Sequence, residues 1–102
     1  MAASGDLPRI SEIRNRLSKI YNGVINVPTV YCNIDILCNN RIIIVKELNE
    51  WEKGLGILYI IESIFTRNKH LHLYNVQSAN QELLNKIITV LNSLNITLTF
   101  EQ

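Results

Sequence analysis

Residues 55–65 constrain this chain more than any other stretch, because their sequence, LGILYIIESIF, places apolar side chains on nearly every face of the helix it predicts. A surface helix of a small domain normally keeps one polar face toward water. A helix without such a face must be covered on two sides, and 102 residues leave little protein to do so. The sequence therefore favours a partner for this helix, either a second copy of the chain or a different subunit.

Length and composition predict one domain with a large apolar core or interface. We expect a flexible tail over residues 1–6 and a single domain over residues 7–102. The hydrophobic share of 47% is too large to be left exposed, and the charged share of 19% is below the roughly 25% of an average soluble domain. The net charge of +1 provides no general attraction to nucleic acid.

The sequence contains no recognisable targeting or membrane segment. The first residues, MAASGD, lack the basic and apolar regions of a signal peptide. The longest apolar run, near residues 57–61, is far shorter than the ~20 residues that cross a bilayer. We therefore expect an intracellular protein, cytoplasmic or nuclear, without a membrane partner. Frequent Ile and Asn indicate an AT-rich genome, such as that of a protist, a microsporidian, an insect or a virus.

The order of helical and strand patterns predicts an α/β or α+β domain with one mixed sheet. Helices are predicted over residues 7–20, 51–65 and 79–94. Strands are predicted over residues 30–38, 41–45, 70–76 and 96–100, with a short edge strand over 24–27 before Pro28. An N-terminal helix, a β-hairpin and a β-α-β-α-β run favour a sheet that becomes parallel after the hairpin, with helices packed on it.

Two details of this sheet follow from the sequence pattern. The β-branched run over residues 41–45 predicts a central strand that is buried on both faces. Strict alternation from Val30 to Cys38 predicts one long half-buried strand, with Ile34, Ile36 and Cys38 on the same face. Asn39 and Asn40 predict a two-residue turn between these two strands.

Patterns for catalysis and metal binding are missing from the sequence. There is no nucleophile-elbow, phosphate-loop, dinucleotide-binding or zinc-protease motif, so we expect no enzymatic activity, no metal and no cofactor. Cys32 and Cys38 would lie ~20 Å apart on one strand, too far for a disulfide, which predicts free thiols. His70 and His72 share a strand face and could hold a metal or a proton, but a covered or solvated strand face is the simpler interpretation.

We interpret the chain first as a non-catalytic protein–protein interaction or assembly subunit, forming a homodimer or part of a heteromer. Trp51, the only tryptophan, would be a hot spot at such an interface or would anchor the helix start on the sheet. The residues predicted to contact the partner are Trp51, Leu55, Leu58, Tyr59, Ile61 and Phe65. The alternative is that the first helix covers the second side of the apolar helix within one chain.

Residues 41–100 resemble the Alba family of small nucleic-acid-binding proteins, which includes subunits of ribonuclease P and MRP. The resemblance lies in the order strand, long helix, strand, helix, strand, although Asn75-Val76-Gln77-Ser78 stands where the family has a glycine-rich basic loop. It implies a dimer that binds RNA within a ribonucleoprotein. The basic residues available for RNA are Arg9, Arg14, Arg16, Lys19, Arg41, Arg67 and Lys69.

The segment Gly54-Leu55-Gly56-Ile57-Leu58, followed by Leu71 to Val76, is similar to STAS regulatory domains. In that family the Gly-Leu-Gly follows a phosphorylatable Asp-Ser-Ser, where this chain has Trp51-Glu52-Lys53. The resemblance implies a regulatory domain that has lost its phosphorylation switch. Binding of phosphate or a nucleotide near Gly54 would be its expected sign.

Overall fold

The sheet at the centre of this protein has five strands and carries helices on both faces. The structure is a computed structural model that describes the backbone of residues 2–77 and 79–101, and side chains from residue 9 onward. The helices are α1 Ala2–Tyr21, α2 Trp51–Glu62 and α3 Gln81–Ser93, and a 3₁₀ turn, Leu48–Glu50, precedes α2. The strands are β1 Val24–Pro28, β2 Asn33–Leu37, β3 Arg41–Glu47, β4 Asn68–Tyr74 and β5 Thr97–Phe100.

The strands lie side by side in chain order, β1-β2-β3-β4-β5. The β1/β2 and β2/β3 pairs are antiparallel, whereas β3, β4 and β5 run parallel to one another. The predicted fold class is therefore confirmed, including the change from an antiparallel hairpin to a parallel half. The predicted central position of β3 is also confirmed, because Ile42 and Ile44 enter one core cluster while Ile43 and Val45 enter the other.

The two helical layers lie on opposite faces of the sheet. Helices α2 and α3 pack on one face, where Leu58, Ile61, Ile87 and Leu91 are buried in the larger core cluster. Helix α1 packs on the other face, and its Ile13 and Leu17 belong to a separate cluster. The alternative in which the first helix covers the second side of α2 is therefore wrong, since the whole sheet lies between them.

Strand β2 is shorter than predicted, and its side chains are divided differently between the two faces of the sheet. Ile34 enters the α2 side of the core, whereas Ile36 and Cys38 enter the α1 side, so the prediction of one shared face is wrong. The irregularity lies at Asp35, whose Oδ2 accepts a hydrogen bond from the backbone N–H of Val45 at 2.7 Å. In the facing strand, Asn26 has φ of 54°, a left-handed conformation that interrupts a strand.

The strand also begins later than predicted, because a hairpin turn occupies residues 29–32. Thr29 forms this turn: its backbone N–H donates to the carbonyl of Cys32 at 2.9 Å, and its hydroxyl accepts from the N–H of Cys32 at 3.1 Å. The second hairpin is as predicted, with Cys38 and Arg41 closing Asn39 and Asn40 through a 2.9 Å backbone bond. Cys32 and Cys38 are free thiols, as expected.

Helix ends differ from the prediction by a few residues. Helix α1 begins at Ala2, within the predicted tail, and the flexibility of residues 1–6 stays a prediction. Helix α2 ends at Glu62 rather than near Phe65. Helix α3 is capped by Asn80, whose side-chain oxygen accepts from the N–H of Leu83 at 2.7 Å.

Candidate interaction surface and buried polar chain

One face of α2 is buried in the protein's own core. Trp51, Gly54, Leu58 and Ile61 are its buried residues, at the three-to-four spacing of a helix stripe. Gly54 suits this close contact, because a Cβ at this position would stand 2.6 Å from Cδ1 of Leu71 in β4 and the leucine would have to shift. The glycine lets the helix approach the sheet closely, which accounts for it by packing rather than by a phosphate site of the STAS kind.

The opposite face of α2 is uncovered, and the exposed side chains toward its C-terminal end include large apolar ones. Tyr59 is 40% exposed, Ile60 49%, and Ile64, in the turn that follows the helix, 41%. We call these three residues the α2 outer patch. Charged side chains border it: Lys69 pairs with Glu62 at 2.7 Å and lies 5.3 Å from the centre of the Tyr59 ring. An apolar centre with a charged border is the usual anatomy of a protein–protein interface.

The predicted partner-contacting residues divide between these two faces. Trp51, Leu58 and Ile61 are at most 8% exposed and pack in the protein's own core, so the sheet already covers them. Leu55 and Phe65 are half-buried against the same core, and Phe65 also carries the Arg67 guanidinium 4.9 Å above its ring. Of the predicted residues only Tyr59 lies in the α2 outer patch. Sequence reasoning missed Ile60 and Ile64, which a helical wheel centred on Leu58 and Ile61 would have placed outside.

The predicted nucleic-acid residues are mostly engaged within the molecule. Ion pairs join Arg14 to Asp35 at 2.7 Å, Arg16 to Glu101, and Lys69 to Glu62. Arg9 lies over the ring of Tyr74 at 5.9 Å and Arg41 over the ring of Tyr21 at 4.7 Å. Lys19 is exposed on α1. Lys69 lies beside the α2 outer patch, whereas Arg67 stands over Phe65 and lines a shallow cavity with Asn39 and Asn40.

A chain of hydrogen bonds runs beneath α1 between β3, β4 and β5. Arg41 Nη1 lies 3.1 Å from His70 Nδ1, and His70 Nε2 lies 2.7 Å from Thr99 Oγ1. Thr99 Oγ1 lies 2.7 Å from His72 Nδ1, and His72 Nε2 lies 2.8 Å from Glu101 Oε1. Both histidines are buried, at 0% and 5% exposed.

The directions of the two bonds at His70 follow from the arginine that donates to it. Arginine can only donate, so His70 Nδ1 accepts and the His70 proton sits on Nε2, which donates to Thr99. The carboxylate of Glu101 can only accept, so His72 Nε2–H donates to it, and Thr99 Oγ1 and His72 Nδ1 share the bond between them. We therefore assign His70 as the neutral Nε2–H tautomer, and Arg16 pairs with the carboxylate of Glu101.

Burial and charge agree with this assignment. Burial, with Arg41 and then His72 nearby, lowers the pKa of His70 from 6.5 to about 4. Burial raises the pKa of Glu101, but hydrogen bonds from His72 and Arg16 outweigh it and leave that pKa below its usual value. Among the described residues no buried side-chain polar atom lacks a hydrogen-bond partner, and these bonds join β3, β4 and β5 and hold α1 through Arg16.

Other chemical sites are sparse. Within the described residues no group of three His, Cys, Asp or Glu side chains is placed to hold a metal ion. A shallow cavity of about 500 Å³ lies between α3 and β5. In the part of the chain that the structure describes, no helix has the length and apolar character needed to cross a membrane.

Comparison with known proteins finds viral relatives. The chain is 31% identical over 80 residues to the KilA-N domain-containing protein L33 of Acanthamoeba polyphaga mimivirus, covering 78% of this chain and 32% of that protein. It is 33% identical over 78 residues to L32 of the same virus, covering 76% and 21%. It is 28% identical over 87 residues to R878, covering 84% and 24%.

The chain thus spans between about a fifth and a third of the length of these curated relatives. No family model and no solved structure matches it. The similarity therefore links this fold to a part of each viral protein. A viral relative fits the AT-rich composition noted above.

Proposed function

We propose that this chain is a non-catalytic protein–protein interaction or assembly domain that binds a protein partner on the outer face of α2. The observation that carries the proposal is the α2 outer patch: Tyr59, Ile60 and Ile64 stay 40–49% exposed although they are large apolar side chains. Covering these side chains removes apolar surface from water, which is favourable by roughly 25 cal/mol per Å².

The surroundings of the patch support a role in binding rather than in catalysis. Its charged neighbours Glu62 and Lys69 are already paired with each other. A protein that covers the patch would therefore not bury an unpaired charge at its border. The buried histidines, which are the best candidates for acid–base chemistry, are saturated by Arg41, Thr99 and Glu101. The larger size of the viral relatives favours a domain that works beside others in a longer protein.

Site-specific photo-crosslinking tests this proposal. A photoreactive amino acid is placed at Ile60 in the full-length protein, within the cells or virus that produce it. The matched control places it at Ile20, an apolar residue of α1 that is 62% exposed. We expect a defined protein crosslink at Ile60 and none of comparable yield at Ile20. Equal yields at the two positions, or no crosslink at Ile60, would show that the patch binds no protein.

A second candidate is nucleic-acid binding through α1. Arg9, Arg14, Arg16 and Lys19 all lie on this helix, and Arg41 lies on the same side of the sheet. The acidic partners Asp35 and Glu101 are largely buried beneath the arginines that they bind. Anisotropy with labelled RNA and duplex DNA would detect binding that weakens steeply with salt. Binding that Lys19→Glu and Arg9→Glu leave unchanged would exclude this surface.

A further inference from the structure

Among the residues that the structure describes, no strand pairs with the outer edge of β5. The N–H of Glu101 donates to the carbonyl of Leu73 at 2.8 Å, which continues the parallel pairing of β5 with β4. Because backbone groups alternate in direction along a strand, Thr97, Thr99 and Glu101 point theirs at β4. The N–H and C=O groups of Leu98 and Phe100 therefore point away from the sheet and can bond to an added strand.

The opposite edge of the sheet is blunted. Strand β1 ends in Pro28, which has no N–H to donate, and Asn26 in its middle has φ of 54°. Proline and local breaks of this kind are how proteins prevent strand addition at an edge. The sheet can therefore grow at β5 but not at β1.

Side chains beside β5 suit a second apolar strand. The cavity between α3 and β5 is lined by seven residues, all uncharged, among them Ile88, Leu98 and Phe100. Ile88 is 38% exposed on α3, on the same face of the sheet as Leu98 and Phe100. On the other face, Thr97 and Thr99 offer small polar side chains.

We propose that β5 pairs antiparallel with β5 of a second copy of this chain, giving a continuous ten-stranded sheet. The register that uses all outward backbone groups places Leu98 opposite Phe100 of the other copy, in both directions, and Thr99 opposite Thr99. Thr97 then faces Glu101, so no like charges meet across the two-fold axis. Apolar pairs and Thr–Thr pairs are both favourable cross-strand neighbours.

The same argument predicts that assembly stops at two copies. An antiparallel β5–β5 contact uses the same edge of each chain and is closed by two-fold symmetry. Each sheet then ends at a blunted β1 edge, which cannot recruit a third copy. The inference does not depend on the α2 outer patch, which belongs to a different helix and remains free in the dimer.

Light scattering after size-exclusion chromatography, over a wide range of concentrations, tests the proposal. We expect the full chain to form a dimer. Ile88→Asp should weaken dimer formation by at least about tenfold, whereas Ile60→Asp, on the α2 outer patch, should leave it unchanged. Circular dichroism confirms that each variant is folded.

A second pair of variants tests the backbone contact itself. Leu98→Pro and Leu98→Ala both remove the leucine side chain, but only proline also removes the outward N–H, leaving the bonds to β4 intact. We expect the proline variant to be monomeric under conditions where the alanine variant still dimerises.

Four results would overturn the proposal: a monomer at every concentration, assembly beyond a dimer, a dimer insensitive to Ile88→Asp and Leu98→Pro, or a dimer broken by Ile60→Asp alone. The last result would place the second copy on α2 and support the proposed function instead. A monomer would leave the proposed function to be decided by crosslinking at Ile60.

Discussion

At the level of single residues, asparagines adopt the left-handed backbone conformation that ends two of the helices. Asn22 and Asn95 have φ of 56° and 58°, and each follows a helix as the left-handed residue of its C-terminal cap. The next N–H in each case reaches back across the last turn, from Gly23 to Ser18 and from Ile96 to Leu91, both at 2.9 Å. Asn is frequent throughout this sequence, but these two asparagines have a structural role, because few other residues tolerate this conformation.

His70 gives the stability of the protein a defined pH dependence. Its folded pKa is lowered to about 4, whereas the unfolded chain takes up a proton near pH 6.5. Its contribution is therefore complete above pH 6.5 and is lost as the pH falls toward 4. We expect the free energy of unfolding to fall by up to ~3 kcal/mol over this range, measured by urea denaturation.

The matched variant is His70→Gln, which cannot titrate and should show a shallower loss between the same pH values. The groups that face His70 are Arg41, Tyr21, Thr99 and His72. Parallel pH profiles for the two proteins would contradict the assignment of a buried neutral imidazole.

Asp35 joins α1 to the irregular part of the sheet. It accepts hydrogen bonds from Arg14 and from the N–H of Val45, both at 2.7 Å, and is 7% exposed. Asp35→Ala would leave both donors without their partner, so we expect a loss of about 2–3 kcal/mol in the free energy of unfolding. Glu50→Ala, which breaks the exposed pair with Lys53, should cost much less, because solvent screens an exposed ion pair. Equal losses would contradict this role for Asp35.

At the level of elements, α2 shows which features of a helix its sequence predicts and which it does not. Its presence, position and apolar character follow from the sequence, but its division into a buried and an exposed face does not. A helical wheel places Ile60 and Ile64 outside the stripe of Leu58 and Ile61, but whether α1 covers that side depends on which face of the sheet α1 occupies. The buried polar chain could not be predicted either, because Arg16, Arg41, His70, Thr99 and Glu101 come from separate elements.

The two glycines of α2 give opposite predictions. Gly56 faces open space, with no atom within 4 Å of the point that an alanine Cβ would occupy, so Gly56→Ala should stabilise the protein by about 0.5–1 kcal/mol. Gly54→Ala gains the same propensity but forces its Cβ against the fully buried Leu71, so we expect net destabilisation by about 1 kcal/mol. Thermal unfolding measures both, and equal effects would contradict the close packing of α2 on β4.

Aspartate substitutions separate the two faces of α2. Leu58 is 1% exposed, so Leu58→Asp buries a carboxylate without a partner and should abolish folding. Ile60 is 49% exposed, so Ile60→Asp should change the free energy of unfolding by no more than about 0.5 kcal/mol. Circular dichroism and denaturation measure the folding of both variants. Loss of folding in both would show that Ile60 is also in the core.

At the level of the whole molecule, the sequence predicts the architecture better than the surface. The strand order, the parallel half and the central β3 follow from apolar periodicity and from the connections between elements. The partners of the basic residues cannot be predicted in this way, since Arg14, Arg16 and Lys69 form ion pairs with residues distant in sequence. The exposed apolar side chains of the α2 outer patch, on which the proposed function rests, are likewise recognised only in the folded protein.

The most direct measurement of this account compares complexes formed by the full-length protein and by its Ile60→Asp variant in the cells or virus that produce them. The partner identified by crosslinking is quantified after size-exclusion chromatography, and thermal unfolding confirms that both proteins are folded. The account predicts that Ile60→Asp lowers the bound partner by about tenfold or more, a loss of at least ~1.4 kcal/mol, with an unchanged melting temperature. Equal binding by the two proteins would contradict the assignment of the α2 outer patch as the interaction surface.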